Sequence, residues 1–448
     1  MAWFIFVTVM LDMLALGMII PVLPLLIEQF RGGDTASAAR TIGLFGAVFA
    51  GIQFFAAPVL GALSDRFGRR PVILLSNFGL GADYALMAVA PTLSWLFVGR
   101  VLSGITAASV PTAMAYIADV TPVEKRARAY GMIGAAFGVG FIIGPALGGF
   151  LGVFGPRTPF WVASALSLAN AMWGLFVLPE SHQADHRAEF SWKRANPLGS
   201  IRLLASHHEL FGFATLHFLY NLAHQSLQGV FVLYTTYRYG WTSAQVGGSL
   251  AAVGVCSAII QAGLVGRVVA RFGERRTLIA GLVFGTIGFA IYGYAPTGTM
   301  FLAGIPIMSL WGLYGPSAQG MMTRRVGRKQ QGALQGALSS VQMATGLVGP
   351  VLFAETFAAF INPAREWHLP GAPFLLSSLL LGTGALIALL PEEADGTILR
   401  HDERGRPLRG CHAPQRRTMA HAETFTVDRR PRLAALWMAD DFVRGDLA

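Results

Sequence analysis

The chain has 448 residues, of which 54% are hydrophobic and only 13% are charged, and its formal net charge is +10. Because ordinary soluble domains carry about 25% charged residues, this composition excludes a soluble globular protein and predicts an integral membrane protein. The two cysteines, Cys256 and Cys411, show neither a disulfide pattern nor a metal-ligand spacing, so we predict no metal site and no resident cofactor.

Long apolar runs dominate the chain up to residue 391. A bilayer core about 30 Å thick needs about 20 apolar residues for each helical crossing. The runs are too long, and too free of two-residue alternation, for the strands of a membrane β-barrel. We therefore predict an all-α membrane protein with twelve transmembrane helices, spans 1 to 12, at residues 3–26, 41–63, 71–90, 93–117, 127–151, 159–178, 209–235, 244–266, 276–296, 299–322, 331–355 and 371–390.

Positive residues concentrate on one face of this predicted topology. The turns after spans 2, 4, 8 and 10 hold fourteen lysines and arginines, whereas the loops of the other face hold five. The positive-inside rule therefore predicts a multi-pass protein of the cell (inner) membrane with both termini in the cytoplasm. The basic residues thus follow topology and do not indicate nucleic-acid binding. The first run is not a cleaved signal peptide, because it lacks a basic start and contains Asp12.

Two acids lie inside the spans of the first half, Asp12 in span 1 and Asp83 in span 3. A medium of low dielectric constant disfavours an ionised carboxylate, so such a group is suited to bind and release a proton or a cation. We predict that both acids couple proton and substrate movement. Gln53, within span 2, is a further candidate for a substrate cavity, although interhelical hydrogen bonding explains it equally well.

The turn after span 2 places four charges between two apolar runs. Ion pairs and helix-end hydrogen bonds in such a turn can close one side of a protein whose halves rock, and release it in another state. Gly68 permits the tight bend that the turn needs. Anchoring of the topology by positive charge is the simpler alternative. The candidate gate residues are Gly61, Asp65, Arg66, Gly68, Arg69 and Arg70.

Arg100 lies inside, or at the start of, span 4. An arginine at membrane depth costs at least about 3 kcal/mol and is tolerated where it faces a partner or water. We predict that it acts together with the two acids in proton coupling. The alternative is snorkelling to the nearby interface, which Trp95 marks.

Span 5 is rich in regularly spaced glycine. Glycines form a smooth groove for a neighbouring helix, and Pro145 frees a backbone carbonyl and bends the span. Generic helix packing explains glycines alone, but a close and bendable contact also suits a transporter that opens alternately to the two sides. The candidate residues are Gly140, Gly144, Pro145, Gly148 and Gly149.

Span 7 carries the polar residues of the second half. At 3.6 residues per turn, His217, Asn221, His224 and Gln228 share one stripe, so we predict that one cavity wall displays them all. Histidine titrates near physiological pH, although a structural role is a serious rival. Further candidates for the same cavity are Gln225, Gln261, Trp311 and Gln319.

The chain divides into two related halves. Residues 179–208 turn polar and predict a cytoplasmic linker between a six-helix bundle at 1–178 and another at 209–390, whereas the arginine-rich residues 391–448 predict a disordered cytoplasmic tail. One offset of 205 residues (271 − 66 = 205) relates the charged turns, and it also pairs Pro111 with Pro316 and Gly144-Pro145 with Gly349-Pro350. Such internal repeats are typical of secondary transporters.

These motifs resemble those of the major facilitator superfamily. The charged turn matches its loop signature, the Arg100-Val101-Leu102-Ser103-Gly104 segment resembles its Arg-x-x-Ser-Gly segment, and span 5 resembles the antiporter signature of its drug exporters. Residues 3 to about 390 are similar to its tetracycline–proton antiporter branch. The resemblance implies exchange of a metal–tetracycline chelate for a proton, with Asp12 and Asp83 as the membrane acids.

The chain departs from that branch in its second half. Tetracycline pumps place a histidine in span 8 and an acid in span 9, and the corresponding residues here are Cys256 and Gly285. Either the histidines of span 7 have taken over, or the pump exports another molecule.

The sequence therefore predicts a proton-coupled antiporter that exports a small drug-like molecule, with tetracycline as the first candidate. Its predicted partners are the lipid bilayer, the drug and protons, and a divalent cation travels only as part of a chelated substrate. The alternatives are another small-solute transporter of the same fold and, more distantly, a non-transporting receptor or scaffold. No nucleophile–base pair or phosphate-binding loop indicates an enzyme. We expect Asp12, Asp83 and Arg100 to line a hydrated cleft between the two halves.

Overall fold

The computed structural model describes residues 2–181, 208–325, 331–364 and 367–390, and within these ranges the regular structure is helical throughout. Eleven helices in these ranges are long and apolar enough to cross a membrane. Spans 1 to 6 lie at Trp3–Phe30, Thr35–Phe67, Arg69–Val89, Leu93–Val120, Arg128–Gly152 and Thr158–Val177, and spans 8 to 12 lie at Ser243–Phe272, Glu274–Tyr294, Gly298–Arg325, Leu334–Phe360 and Ala372–Leu389.

Span 7 is the helix His208–Tyr239, which has 32 residues. This helix is long enough to cross a membrane but is not among the eleven apolar helices, because its histidine, asparagine and glutamine residues lower its mean hydropathy. Together these helices confirm the predicted all-α fold. Most of the predicted linker, and all of the predicted tail, lie outside the described residues.

Caps set the ends of several helices. Span 2 begins at Thr35, six residues before the predicted start (41 − 35 = 6), because the Asp34 carboxylate accepts from the backbone N–H groups of Ala36 and Ser37 at 3.0 and 3.1 Å. The turns after spans 2 and 8 contain Gly68 and Gly273, with φ of +109° and +79°. These two positions are 205 residues apart, so the internal repeat extends to the backbone conformation.

Several spans are interrupted within the membrane. Span 4 consists of two helices, Leu93–Thr106 and Ser109–Val120, with a non-helical step between them. Span 8 contains a π-helical turn at Ile260–Leu264, and span 10 contains a 3₁₀ turn at Leu310–Leu313. Such turns leave backbone groups that neighbouring side chains must satisfy, and they are frequent at functional sites.

We call the end of the bundle that carries the turns after spans 2, 4, 8 and 10 the basic end. The two halves touch at the opposite end. There Gly149 of span 5 faces Gly247 of span 8 so closely that a methyl group on Gly149 would lie 3.0 Å from the Gly247 Cα atom. Arg40 of span 2 and Glu355 of span 11 form an exposed ion pair of 3.1 Å across the same contact.

The basic end is open among the described residues. Gly131, Gly134 and Gly138 of span 5, like Gly266 of span 8, face open space. Among the described residues, spans 5 and 8 are therefore in contact at one end and apart at the basic end. By the positive-inside prediction, the basic end lies on the cytoplasmic side.

Candidate functional site

Asp12 lies in a buried polar cluster inside the first bundle, with a residue exposure of 1%. Asn170 of span 6 donates to Asp12 Oδ1 at 2.9 Å, and Ser109 of span 4 bonds the same carboxylate. The hydrogen-bond network orients the Asn77 amide so that its nitrogen donates to Asp12 Oδ2 at 3.1 Å. Four spans therefore meet at one carboxylate, which explains how this acid is tolerated in the interior.

Asp83, Arg100 and Ser103 form a second buried cluster, here called the acid–arginine cluster. Arg100 Nη2 donates to Asp83 Oδ2 at 3.2 Å, and Ser103 Oγ donates to the same oxygen. The Asp83 side chain is fully buried and that of Arg100 is 13% exposed. Asp83 Oδ1 has no hydrogen-bond partner. A buried carboxylate oxygen without a donor is a position where a proton can bind.

The acids do not line the cleft as predicted. Asp12 and Asp83 are buried inside the first bundle because amide, hydroxyl and guanidinium donors surround them. Arg100 pairs with Asp83 and therefore faces a partner inside the first bundle, while its part in proton coupling stays a prediction.

A cavity of about 380 Å³ lies between the halves, and we call it the amide cavity. Drug-sized ligands occupy pockets of about 300–1,000 Å³, so its size suits such a ligand. Four glutamines supply its polar groups, and none of its lining residues is charged. Its lining residues from spans 2, 7 and 11 are Ile42, Gly46, Phe49, Ala50, Gln53, Gln225, Gln228, Gly229, Gln342, Met343, Gly346 and Pro350.

The predicted stripe on span 7 divides. Gln228 lines the amide cavity together with Gln225, whereas His217, Asn221 and His224 do not. Asn221 Nδ2 donates to the His217 carbonyl of its own helix at 2.8 Å, which directs it away from a ligand. The four residues of the stripe therefore do not all line the amide cavity.

His224 lies near an aromatic cluster of the second bundle. The His224 ring lies 5.5 Å from Trp311, and the Tyr220 ring stacks on Tyr314 at 4.2 Å. Trp311 is buried in this cluster and does not line the amide cavity. Gln261 lies in the π-helical turn of span 8, and neither it nor Gln319 lines the amide cavity.

The charged turn after span 2 is tied to its own bundle. Arg69 bonds Asp65 at 2.6 Å and Asp119 at 3.1 Å, while Glu180 accepts from the backbone N–H groups of Arg69 and Arg70 at 2.8 and 3.2 Å. The positive φ of Gly68 leaves the space that the Glu180 carboxylate occupies. These contacts therefore brace spans 2, 3 and 4 and the residues after span 6. Arg66 and Gly61 add no contact between the halves among the described residues.

The second bundle repeats this arrangement with inverted charge. Adding 205 to Arg69 and Asp119 gives Glu274 and Arg324, and these two residues also form an ion pair. The acid and the base have therefore exchanged positions between the two copies.

The glycines of span 5 lie on two faces of the helix, and each face packs against a different span. Gly140, Gly144 and Gly148 lie against span 1, around Met13, Gly17 and Met18. Gly149 and the Pro145 carbonyl lie against span 8 of the other half. Span 5 therefore contacts the acid-bearing span on one side and the opposite half on the other.

In the described part of the second bundle, no counterpart of the acid–arginine cluster is found. The offset of 205 places Gly288 and Met308 at the positions of Asp83 and Ser103, and there the helices pack at close range. At Gly285, where the resemblance implied an acid, an added Cβ would lie 2.7 Å from both Trp311 and Leu381. The missing acid thus has a physical reason, because an indole and a leucine side chain fill its space.

Sequence reasoning missed several residues that the site uses. Ser103 lies in the segment that resembles Arg-x-x-Ser-Gly, and this motif was the signal that could have identified it. Asp119 and Glu180 are acids near span ends, where such residues are common, so nothing in the local pattern distinguished them. Gln342 of span 11 joins the amide cavity from a glycine-rich helix. A glutamine among the apolar and small residues of a membrane span was the signal that could have identified it.

Comparisons with known proteins agree with this geometry. Residues 5–350 and 213–437 match the model of the Major Facilitator Superfamily. The class C tetracycline resistance protein of Escherichia coli is 37% identical over 380 residues, which cover 84% of this chain and 95% of that protein. The class B protein of the same organism is 35% identical over 396 residues, which cover 87% and 96%.

Solved structures show the same fold. A bacterial homologue of the human lysosomal transporter Spinster, in an inward-facing and unoccupied conformation, has a TM-score of 0.71 at 16% identity and covers 87% of this chain and 95% of its own. The nucleoside transporter NupG has a TM-score of 0.71 at 14% identity and covers 87% and 99%. At these identities the likeness concerns the fold alone.

Proposed function

The chain belongs to the Major Facilitator Superfamily and is a multi-pass membrane transporter, and from this premise we propose that it exports a drug-like molecule in exchange for a proton. Tetracycline, as its chelate with a divalent cation, is the first candidate substrate, because the relatives at 37% and 35% identity are named tetracycline resistance proteins. The proposed location is the inner membrane, with both termini in the cytoplasm.

The acid–arginine cluster carries the proton in this proposal. Asp83 Oδ1 is buried without a partner, and its other oxygen is held by Arg100 and Ser103. Protonation of Asp83 removes the negative charge that holds Arg100, whereas deprotonation restores it. This unpartnered oxygen beside a paired arginine is the observation that supports proton coupling. Proton binding by Asp12 stays a prediction.

The amide cavity receives the substrate. Amide groups both donate and accept hydrogen bonds, so they match a ligand rich in hydroxyl, carbonyl and amide groups. With the basic end on the cytoplasmic side, the cavity is accessible to a drug inside the cell. Each elementary charge driven through 100 mV supplies about 2.3 kcal/mol, which sustains a drug gradient of roughly fiftyfold.

A second candidate is export of a different small solute. The cavity lining is uncharged, and the second bundle lacks the histidine of span 8 and the acid of span 9 that the resemblance implies. Both observations favour a substrate recognised by neutral amides. A receptor or scaffold remains the alternative from another class, and it requires that Asp83 and Arg100 be dispensable.

Proton-driven uptake into inside-out vesicles tests the proposal. We expect acidification of the lumen to drive accumulation of tetracycline with magnesium in wild type and not in Asp83→Asn. Asp34→Asn is the matched control, because Asp34 caps span 2 at an exposed position and asparagine caps a helix equally well. Uptake of another drug in place of tetracycline refutes the narrow assignment. Equal uptake by wild type and Asp83→Asn, at equal membrane levels, refutes proton coupling through Asp83.

A further inference from the structure

Span 2 separates the amide cavity from the acid–arginine cluster. Phe49 and Gln53 both line the cavity from this span, and they lie four residues apart on one helical face. Each of them also contacts span 4, which is the span that carries Arg100 and Ser103. Gln53 contacts its backbone, and Phe49 contacts the Arg100 side chain. The two side chains thus connect a substrate cavity with a buried ionisable pair.

Gln53 contacts span 4 where that span is interrupted. Its Nε2 donates to the carbonyl oxygen of Ala107 at 3.4 Å, and Ala107 lies in the step between the two helices of span 4. Hydrogen bonds of this type are usually 2.7–3.2 Å long, so this one is weak and easily exchanged. Ser103, whose hydroxyl holds Asp83, lies one turn before the interruption.

Phe49 contacts the arginine. The guanidinium carbon of Arg100 lies 5.8 Å from the centre of the Phe49 ring, which is within cation–π range. The two spans are in close contact beside this pair, because a methyl group on Gly104 would lie 3.0 Å from Ile52 and 3.2 Å from the Phe49 carbonyl. A displacement of span 2 at this level must therefore move span 4.

We propose that Phe49 and Gln53 are the residues through which substrate in the amide cavity changes the proton affinity of Asp83. A polar substrate competes for the Gln53 amide and releases the Ala107 carbonyl, so the interrupted turn of span 4 and Ser103 rearrange. Contact of the substrate with Phe49 withdraws the ring from Arg100. The effect is reciprocal, because linkage requires that a proton on Asp83 change substrate affinity by the same factor.

This inference rests on the proposed function, but its first test needs no transport. In purified protein, the infrared carboxyl band that disappears in Asp83→Asn reports Asp83 directly. We expect Gln53→Met, which keeps the length of the side chain and removes the amide, to shift this band. Gln228→Met is the matched control, since Gln228 lines the same cavity from span 7. An unshifted band in Gln53→Met, or an equal shift in both variants, overturns the inference whatever the substrate is.

The second test measures coupling in inside-out vesicles. We expect Gln53→Met to lose proton-driven accumulation of tetracycline while it retains exchange of labelled for unlabelled tetracycline, which needs no net proton movement. Gln228→Met is expected to weaken exchange without changing the number of protons moved per drug. An unchanged proton-to-drug ratio in Gln53→Met overturns the inference. Absence of tetracycline transport in wild type refutes the proposed function instead, and the infrared result then decides the inference alone.

Discussion

Gly99 tests the geometry of the acid–arginine cluster with the smallest possible change. A Cβ at Gly99 would lie 2.5 Å from Asp83 Oδ1 and 3.3 Å from Met87 Cγ. Carbon and oxygen atoms in favourable contact are about 3.3–3.6 Å apart, so in Gly99→Ala the carboxylate must move by roughly 0.8–1.1 Å. In enzymes a misplacement of about 1 Å can cost about 100-fold in rate. We therefore expect proton-driven uptake to fall by about 100-fold although no charge is altered.

The assay is initial uptake into inside-out vesicles, normalised to the amount of protein in the membrane. Gly382→Ala of span 12 is the matched control, because its Cβ would meet Thr286 at an ordinary contact distance of 3.6 Å. The double variant Gly99→Ala with Asp83→Asn separates a local effect from misfolding. If Gly99→Ala acts only through Asp83, the double variant has the same uptake as Asp83→Asn alone, because the effects of substitutions at residues that act as a unit are not additive. Uptake by Gly99→Ala at the wild-type rate would refute the reasoning.

Three further changes have defined outcomes. Glu180→Ala removes the acceptor for two backbone N–H groups at the start of span 3, so we expect a loss of about 1 kcal/mol in stability, measured by thermal unfolding in detergent. Arg40→Ala breaks an exposed ion pair worth about 0.2–1 kcal/mol, so uptake should change less than about fivefold, and the charge exchange of Arg40 and Glu355 should restore it. Gly285→Asp should lower the membrane level of the protein because Trp311 fills the space, and Trp311→Ala should raise that level again.

The sequence alone determined the class of protein and the inventory of ionisable groups in the membrane. Apolar length predicts spans because each crossing is a local property of about 20 residues. The same locality made Asp12, Asp83 and Arg100 visible, since a charge in an apolar run is costly wherever the run packs. The 205-residue repeat was also readable from the chain, and Gly68 and Gly273 repeat it in their backbone conformations.

Only the tertiary structure decided which of these groups meet. Asp12 is bonded by Asn170, which lies 158 residues away, and the amide cavity draws its glutamines from three spans. Helical periodicity predicts which residues share a face of one helix, but not which helix covers that face. The stripe on span 7 was split for this reason, because Trp311 of span 10 lies near His224, whereas spans 2 and 11 leave Gln225 and Gln228 facing the space between the halves.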